Sequence, residues 1–191
     1  MTSAFNFASL LKLSLSNPKE AGRAILSYGL SYDAICSIFA AAICASTAMM
    51  FAVATLYETD EPSLTNVSTP WIFALLVGIM TIVVCGAISW TGQRFSGQGD
   101  FKAVFSIVAW LQVVQMVLQL ASFLVMFFLT PLIGFIQLVI FFWSLWIFVA
   151  FIDAAHGFDN MIKSSLVALL GSSLGSIGML IMVIFMSNLV R

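Results

Sequence analysis

Apolar residues run almost unbroken through five stretches of the chain, Ala34–Leu56, Trp71–Trp90, Ala103–Leu129, Leu132–Ile152 and Ser164–Val190, with polar residues gathered between them. A hydrocarbon core about 30 Å thick takes roughly 20 apolar residues of helix to cross, and each stretch meets that length. The pattern predicts an all-α integral membrane bundle of five transmembrane helices. Ahead of it, residues 1–33 carry two short amphipathic pieces. Phe5, Phe7, Leu10, Leu11, Leu13 and Leu15 crowd the first around the single charge of Lys12. This piece is expected to lie in the headgroup region with its apolar side down. The second opens at Asn17-Pro18-Lys19-Glu20, with Asn17 as a cap, Pro18 at the first helical position and Glu20 placed for a capping box. Its stripe of Ala21, Ala24, Ile25 and Tyr28 is expected to make it a surface helix anchoring the first span.

The polar segments decide the orientation. Of the seven basic residues, Lys12, Lys19, Arg23, Arg94, Lys102 and Lys163 fall on one side and only Arg191 on the other. The positive-inside rule therefore predicts a cytoplasmic amino end and an external carboxyl end. The segment Tyr57–Pro70 is then external, and it is acidic, with no lysine or arginine. Thr130-Pro131 leaves so little chain between the third and fourth spans that they are expected to form an antiparallel hairpin. Thr91–Lys102 and Asp153–Lys163 are the longer cytoplasmic connections. In each, a glycine precedes an acidic or amide residue able to cap the next span.

Composition narrows the class without naming an activity. The 191 residues are 62% hydrophobic and 8% charged, with mean hydropathy +1.11, which excludes an ordinary soluble domain and leaves room for one membrane domain, residues 34–191, behind the amphipathic segment 1–33. A net charge of −1 argues against a nucleic-acid partner. The first apolar run begins only at Ala34, so it is expected to stay as an uncleaved anchor. Cys36, Cys44 and Cys85 all fall within spans, an odd count that offers no disulfide framework.

Three constellations are candidates for chemistry or contact. Asp153, His156 and Asp159 follow one another at intervals of three, and Asp153 and His156 share a face if the helix continues. Two carboxylates and an imidazole are the groups of a metal site or proton relay, but Gly157 reads as the residue that ends the helix, with His156 in the last turn favoured by the helix dipole. No metal site is expected. Gln112, Gln115, Gln119 and Ser122 align on one stripe of the third span, where amides need partners on other helices or a wet cavity. Packing is the expected use of that stripe, with a transport path as the alternative. Gly171, Gly175 and Gly178, with Ala168, make a smooth face on the last span for close helix approach. Trp71 and Trp90 mark the two interfaces of the second span, whereas Trp143 and Trp146 sit in mid-span, to fill gaps between helices or line a greasy surface. No phosphate loop, serine–histidine–acid set, dinucleotide fingerprint or paired zinc motif is present, so neither an enzyme nor a cofactor is expected.

Three motifs stand out together: Asn17-Pro18-Lys19-Glu20-Ala21, Gly92-Gln93-Arg94-Phe95-Ser96-Gly97-Gln98-Gly99-Asp100-Phe101 followed by Val108-Ala109-Trp110, and His156-Gly157-Phe158. In these and in its five-span layout the chain resembles the Yip family, the Ypt/Rab-interacting membrane proteins, in its bacterial branch. It implies a five-helix membrane domain with the same orientation as the charge count. Eukaryotic relatives are linked to Rab GTPases, vesicle traffic and membrane shaping, and Rab binding does not carry over to a bacterial chain. The expectation is a non-enzymatic protein of the bacterial inner membrane that organises membrane or binds other membrane proteins, itself included. The alternative is a small permease or lipid handler using the glutamine stripe. Arg94, Gly97, Gly99 and Asp100 in one cytoplasmic turn, and Asp153 to Asp159 in the other, are the candidate interaction sites.

Overall fold

In the computed structural model, which describes residues 6–56, 69–128 and 132–189, the chain forms seven helices in the order α1 (Phe7–Ser16), α2 (Pro18–Ser27), α3 (Tyr32–Leu56), α4 (Pro70–Arg94), α5 (Phe101–Phe128), α6 (Ile133–His156) and α7 (Met161–Leu189). The last five are long and apolar enough to cross a membrane, and the described chain contains no strand. Most of the acidic connection between α3 and α4, the Thr130-Pro131 turn and Arg191 lie outside the described residues.

The spanning helices outrun the apolar stretches at one end of the bundle. α4 continues through Gln93 to Arg94, α6 through Asp153 to His156, and α5 and α7 begin at Phe101 and Met161. The two connections there shrink to residues 95–100 and 157–160. Helical backbone satisfies its own polar groups, so polar side chains at the rim need not end a helix; only its termini need caps. Asp100 caps α5 by accepting the Ala103 N–H at 2.7 Å, and Asn160 caps α7 through the N–H groups of Ile162 and Lys163. Gly157 ends α6 at φ 66°, and Ser96 and Asp159 also adopt positive φ in the two turns. This end carries Lys12, Lys19, Arg23, Arg94, Lys102 and Lys163, and is called the basic end below.

Within the bundle α5 is central, packed against α3, α4 and α6, while α4 also lies along α7. Val104, Ile107 and Val114 of α5 are fully buried, and Phe39 of α3 meets Phe105 edge-on at 5.1 Å between ring centres. Lipid tails are as apolar as these side chains, so close packing rather than escape from water holds spanning helices together. The α4–α7 contact illustrates this. A Cβ added at Gly171 would lie 2.7 Å from the Ile88 Cα, and one at Gly175 would lie 2.9 Å from the Val84 Cα. Gly178, by contrast, faces open space. Trp143 and Trp146 lie on the outer surface of the bundle, about two-fifths exposed.

The amino-terminal helices depart from the expected layout. α2 docks on α6, with α5 beside it, and not chiefly on the first span. Gly22 lets it settle there, since a Cβ at that position would fall 2.8 Å from the Ala154 Cβ. Pro18, Ala21 and Ile25 are buried by the contact. Asn17 makes no side-chain cap for α2; its N–H closes α1 by donating to the Leu13 carbonyl, and the cap that does form is Asn6 on α1. α1 is held to α5 by Trp110, whose indole N–H donates to the buried Ser14 Oγ at 2.8 Å and whose ring meets Phe7 edge-on. The two helices are therefore packed across the basic end, because their small and apolar residues match the ends of α5 and α6.

Candidate functional site

The intervals of three that link Asp153, His156 and Asp159 do not gather them into one site. Asp153 and His156 both lie in the last turn of α6 and are buried, at 0% and 1% exposure. Asp153 faces α2 and α7. Its Oδ2 meets the Lys19 ammonium at 2.5 Å, while its Oδ1 accepts from the Ser164 hydroxyl at 2.7 Å and the Asn160 N–H at 3.2 Å. A buried carboxylate is costly unless paired and hydrogen-bonded, and both conditions are met. Lys19 also reaches Asp159 at 2.7 Å, and Arg23 meets the same carboxylate at 2.8 Å. The ammonium thus clasps a buried and an exposed carboxylate on either side of the α6–α7 turn. Hydrogen bonds and charge from Asp153 and Asp159 raise the Lys19 pKa above its ordinary value. The Lys19 ammonium in turn lowers that of Asp159.

His156 turns the other way, toward α4. Its Nδ1 lies 3.1 Å from the Ile152 carbonyl, which can only accept, so Nδ1 carries the proton and Nε2 presents a lone pair. Nε2 has no hydrogen-bond partner and is buried. It faces Gly92 so closely that a Cβ there would fall within 1.9 Å of it, and Cβ atoms at Gly97 and Gly99 would also lie within about 3 Å of the ring. A Gly92 Cα hydrogen therefore points at the lone pair, a weak contact that suits an otherwise orphaned nitrogen. Phe158 stacks on the imidazole with rings 5° from parallel, and the Lys163 ammonium sits 4.6 Å above the Phe158 ring centre. The Gln98 N–H donates to the His156 carbonyl, and Gly97 closes on Gly92. The turn carrying Gly97 and Gly99 is thereby fastened to the end of α6. Among the described residues no three histidine, cysteine or acidic side chains are placed to hold a metal ion.

Arg94 and Asp100 take separate places. The Arg94 guanidinium lies over the Trp90 ring at 5.2 Å, as Lys102 lies over Tyr32 at 5.4 Å, and Asp100 is spent on the α5 cap.

The glutamine stripe belongs to the opposite half of the bundle. Gln115, Gln119 and Ser122 of α5 line a pocket of about 360 Å³ together with Gln137 and Ser144 of α6 and apolar groups from α3. Gln112 falls outside it and shares a smaller pocket of about 120 Å³ with Ser46, Thr47 and Gln119. The Ser122 hydroxyl is buried without a partner.

Several residues of these sites escaped the sequence reading. Lys19 and Ser164 meet Asp153 from 134 and 11 positions away, and no local pattern connects them. Gly92 had a signal: it stands in a helix, where glycine is unfavourable unless something approaches closely. Gln137 and Ser144, isolated polar residues in an apolar run, were the visible sign of a second wall to the pocket.

The family model described as the Yip1 domain matches residues 12–186, from within α1 to near the end of α7. No curated protein and no solved structure matches the chain.

Proposed function

The chain belongs to the Yip1 domain family, and on that premise we propose that this multi-pass membrane protein is a non-enzymatic component that organises membrane or binds other membrane proteins. The observation that carries this reading is the use made of the charged groups at the basic end. Lys19, Arg23, Asp153 and Asp159 hold α2 to the α6–α7 turn, so their chemistry is spent on joining helices. Arg94, Lys102 and Lys163 lie over aromatic rings at the same end, an arrangement suited to the headgroup level of a bilayer. We place its amino end in the cytoplasm, a reading supported by the gathering of six of the seven basic residues on one side, and take the membrane to be the bacterial inner membrane.

Isolation from native membranes in mild detergent tests the reading. Reproducible co-isolation of the same membrane protein, or of a second copy, is expected. Recovery as a lone protein in several detergents and growth states overturns it. For the orientation, single cysteines placed at Ser3 and Arg191 in a chain lacking Cys36, Cys44 and Cys85 are treated with an impermeant maleimide on intact spheroplasts. Labelling at the carboxyl end alone is expected.

A second reading, passage of a small molecule or lipid along the stripe, draws support from the pocket at Gln115 and Gln119. Replacement of Gln112, Gln115 and Gln119 by leucine should then abolish flux in reconstituted vesicles. Unchanged flux removes that reading.

A further inference from the structure

We infer that the pocket between α5 and α6 binds the hydroxyl- and ester-bearing head of an uncharged lipid, with the acyl chains left in the bilayer. The inference deepens the second reading by naming what is bound, and it requires no movement across the membrane.

The first ground is unsatisfied polarity. Gln115 and Gln137 are exposed on membrane-spanning helices. Neither makes a side-chain hydrogen bond among the described residues, and the Ser122 hydroxyl at the pocket wall is buried with no partner. Hydrocarbon satisfies no amide or hydroxyl, so a polar occupant is the favourable companion of this surface.

The second ground is the absence of charge in the lining. Its polar groups are the three amides Gln115, Gln119 and Gln137 and the hydroxyls of Ser122 and Ser144. A phosphate or ammonium brought here would lose its water without gaining a counterion. A purely apolar occupant would leave all five polar groups unpaired. A neutral head rich in hydroxyl and carbonyl oxygens fits both amide donors and amide acceptors.

Size and depth agree. At about 30 Å³ per water molecule, a pocket of about 360 Å³ takes a compact head and excludes a whole two-chain lipid. At 1.5 Å per residue, Gln137 lies about 6 Å from the start of α6 and Ser122 about 9 Å from the end of α5, while Ser144 and Gln115 lie about 16 Å and 20 Å in. The rim of the pocket is thus at the level of lipid glycerol and ester groups, away from the basic end, and its floor reaches mid-span. The concave wall and the recessed Ser122 favour a small head over a neighbouring helix, which would lie across the exposed glutamines.

The test is photolabelling of the full chain, reconstituted in phosphatidylcholine vesicles, with a photoactivatable diacylglycerol. Labelled peptides covering 115–123 and 137–144 are expected, with labelling at least tenfold lower in Gln115→Leu/Gln137→Leu. Ser144→Trp, which fills the pocket and keeps every amide, should lose it too, and a cooperative circular-dichroism melt with a midpoint no lower than the parent's shows that each variant is folded. Equal labelling of folded variants overturns the inference, as does stronger labelling by a photoactivatable phosphatidylglycerol. Displacement by millimolar glycerol marks a water-soluble ligand instead of a lipid. High-yield Gln115→Cys crosslinks between two chains mark a dimer seat; either result overturns it. Labelling without flux in the same vesicles removes the permease reading and leaves the binding site standing.

Discussion

At one end of α6, Asp153 is fully buried and meets Lys19, Ser164 and the Asn160 N–H. Near the other end of the same helix, Gln137 is exposed and meets no side chain or backbone group by hydrogen bond among the described residues. The costlier group, a full charge, is the one provided for; the cheaper neutral amide is not. A buried carboxylate without partners would oppose closure of the basic end, and its partners come from α2, from α7 and from the turn between α6 and α7. A neutral amide costs less than a charge when it lacks a partner, and such amides stand on two adjacent helices, α5 and α6.

That contrast has consequences that can break it. The largest effect is expected for Gly92→Ala, which sets a methyl group against a histidine ring already enclosed by Gly97, Gly99 and Phe158. Overpacking of this kind costs about 3 kcal/mol, read as a lower thermal midpoint in detergent. Gly92→Ala/His156→Ala should recover part of the loss, and an unchanged midpoint in the single variant would refute the close approach. Next comes Lys19→Met, which strips the counterion from buried Asp153. Lys19 is about one-third exposed, so the expected cost is about 2 kcal/mol, below that of a fully buried pair. Lys19→Met/Asp153→Leu should be milder than Lys19→Met, and a double variant worse than the single would show that Asp153 needs no partner.

Gly171→Ala pushes against the α4 backbone and is expected to cost about 1–2 kcal/mol. Gly178→Ala meets nothing within 4 Å and should be neutral or slightly stabilising through better helix propensity. Equal effects at the two positions would place the α4–α7 contact elsewhere. On the pocket side the sign reverses: Gln115→Leu and Gln137→Leu remove unpaired amides, so the thermal midpoint in detergent should hold or rise. A marked fall would mean that these amides hold the bundle together after all.

The smallest effect expected is that of pH near neutrality. Asp159 has a lowered pKa in the folded chain, so its contribution is present above its ordinary value of 3.8 and is lost as pH falls through the lower folded value. Lys19 has a raised pKa, so its contribution is full below 10.5 and is lost as pH rises through the higher folded value. Proteolysis of residues 1–30 should therefore be constant across the interval between and accelerate only beyond it. Release of α1 and α2 within that interval would refute the Lys19–Asp159 pairing as the contact that controls docking.

The legible parts of this molecule are those written in local spacing. Five apolar runs imply five helices because each run alone must satisfy its backbone within the membrane. Asp100, Asn160 and Gly157 could be placed in their turns because caps act over three or four residues. The polar sites were legible only in fragments. The Asp153–His156–Asp159 spacing suggests a shared site, but only the two carboxylates meet, at Lys19, while His156 turns to Gly92 of α4, a division set by the neighbouring helices. Lys19 was read as part of a helix start, and its role as the counterion of Asp153 depends on α2 crossing α6.

Sequence alone determined that this chain inserts in a membrane, how many spans it has and where its basic residues gather, since length, hydropathy and charge act segment by segment in the bilayer. Tertiary structure decided which glycines admit a neighbour, which carboxylate is buried with a counterion and which glutamines remain unpaired. Those outcomes depend on distances between segments remote in the chain, and burial and pairing energies change over a few ångströms.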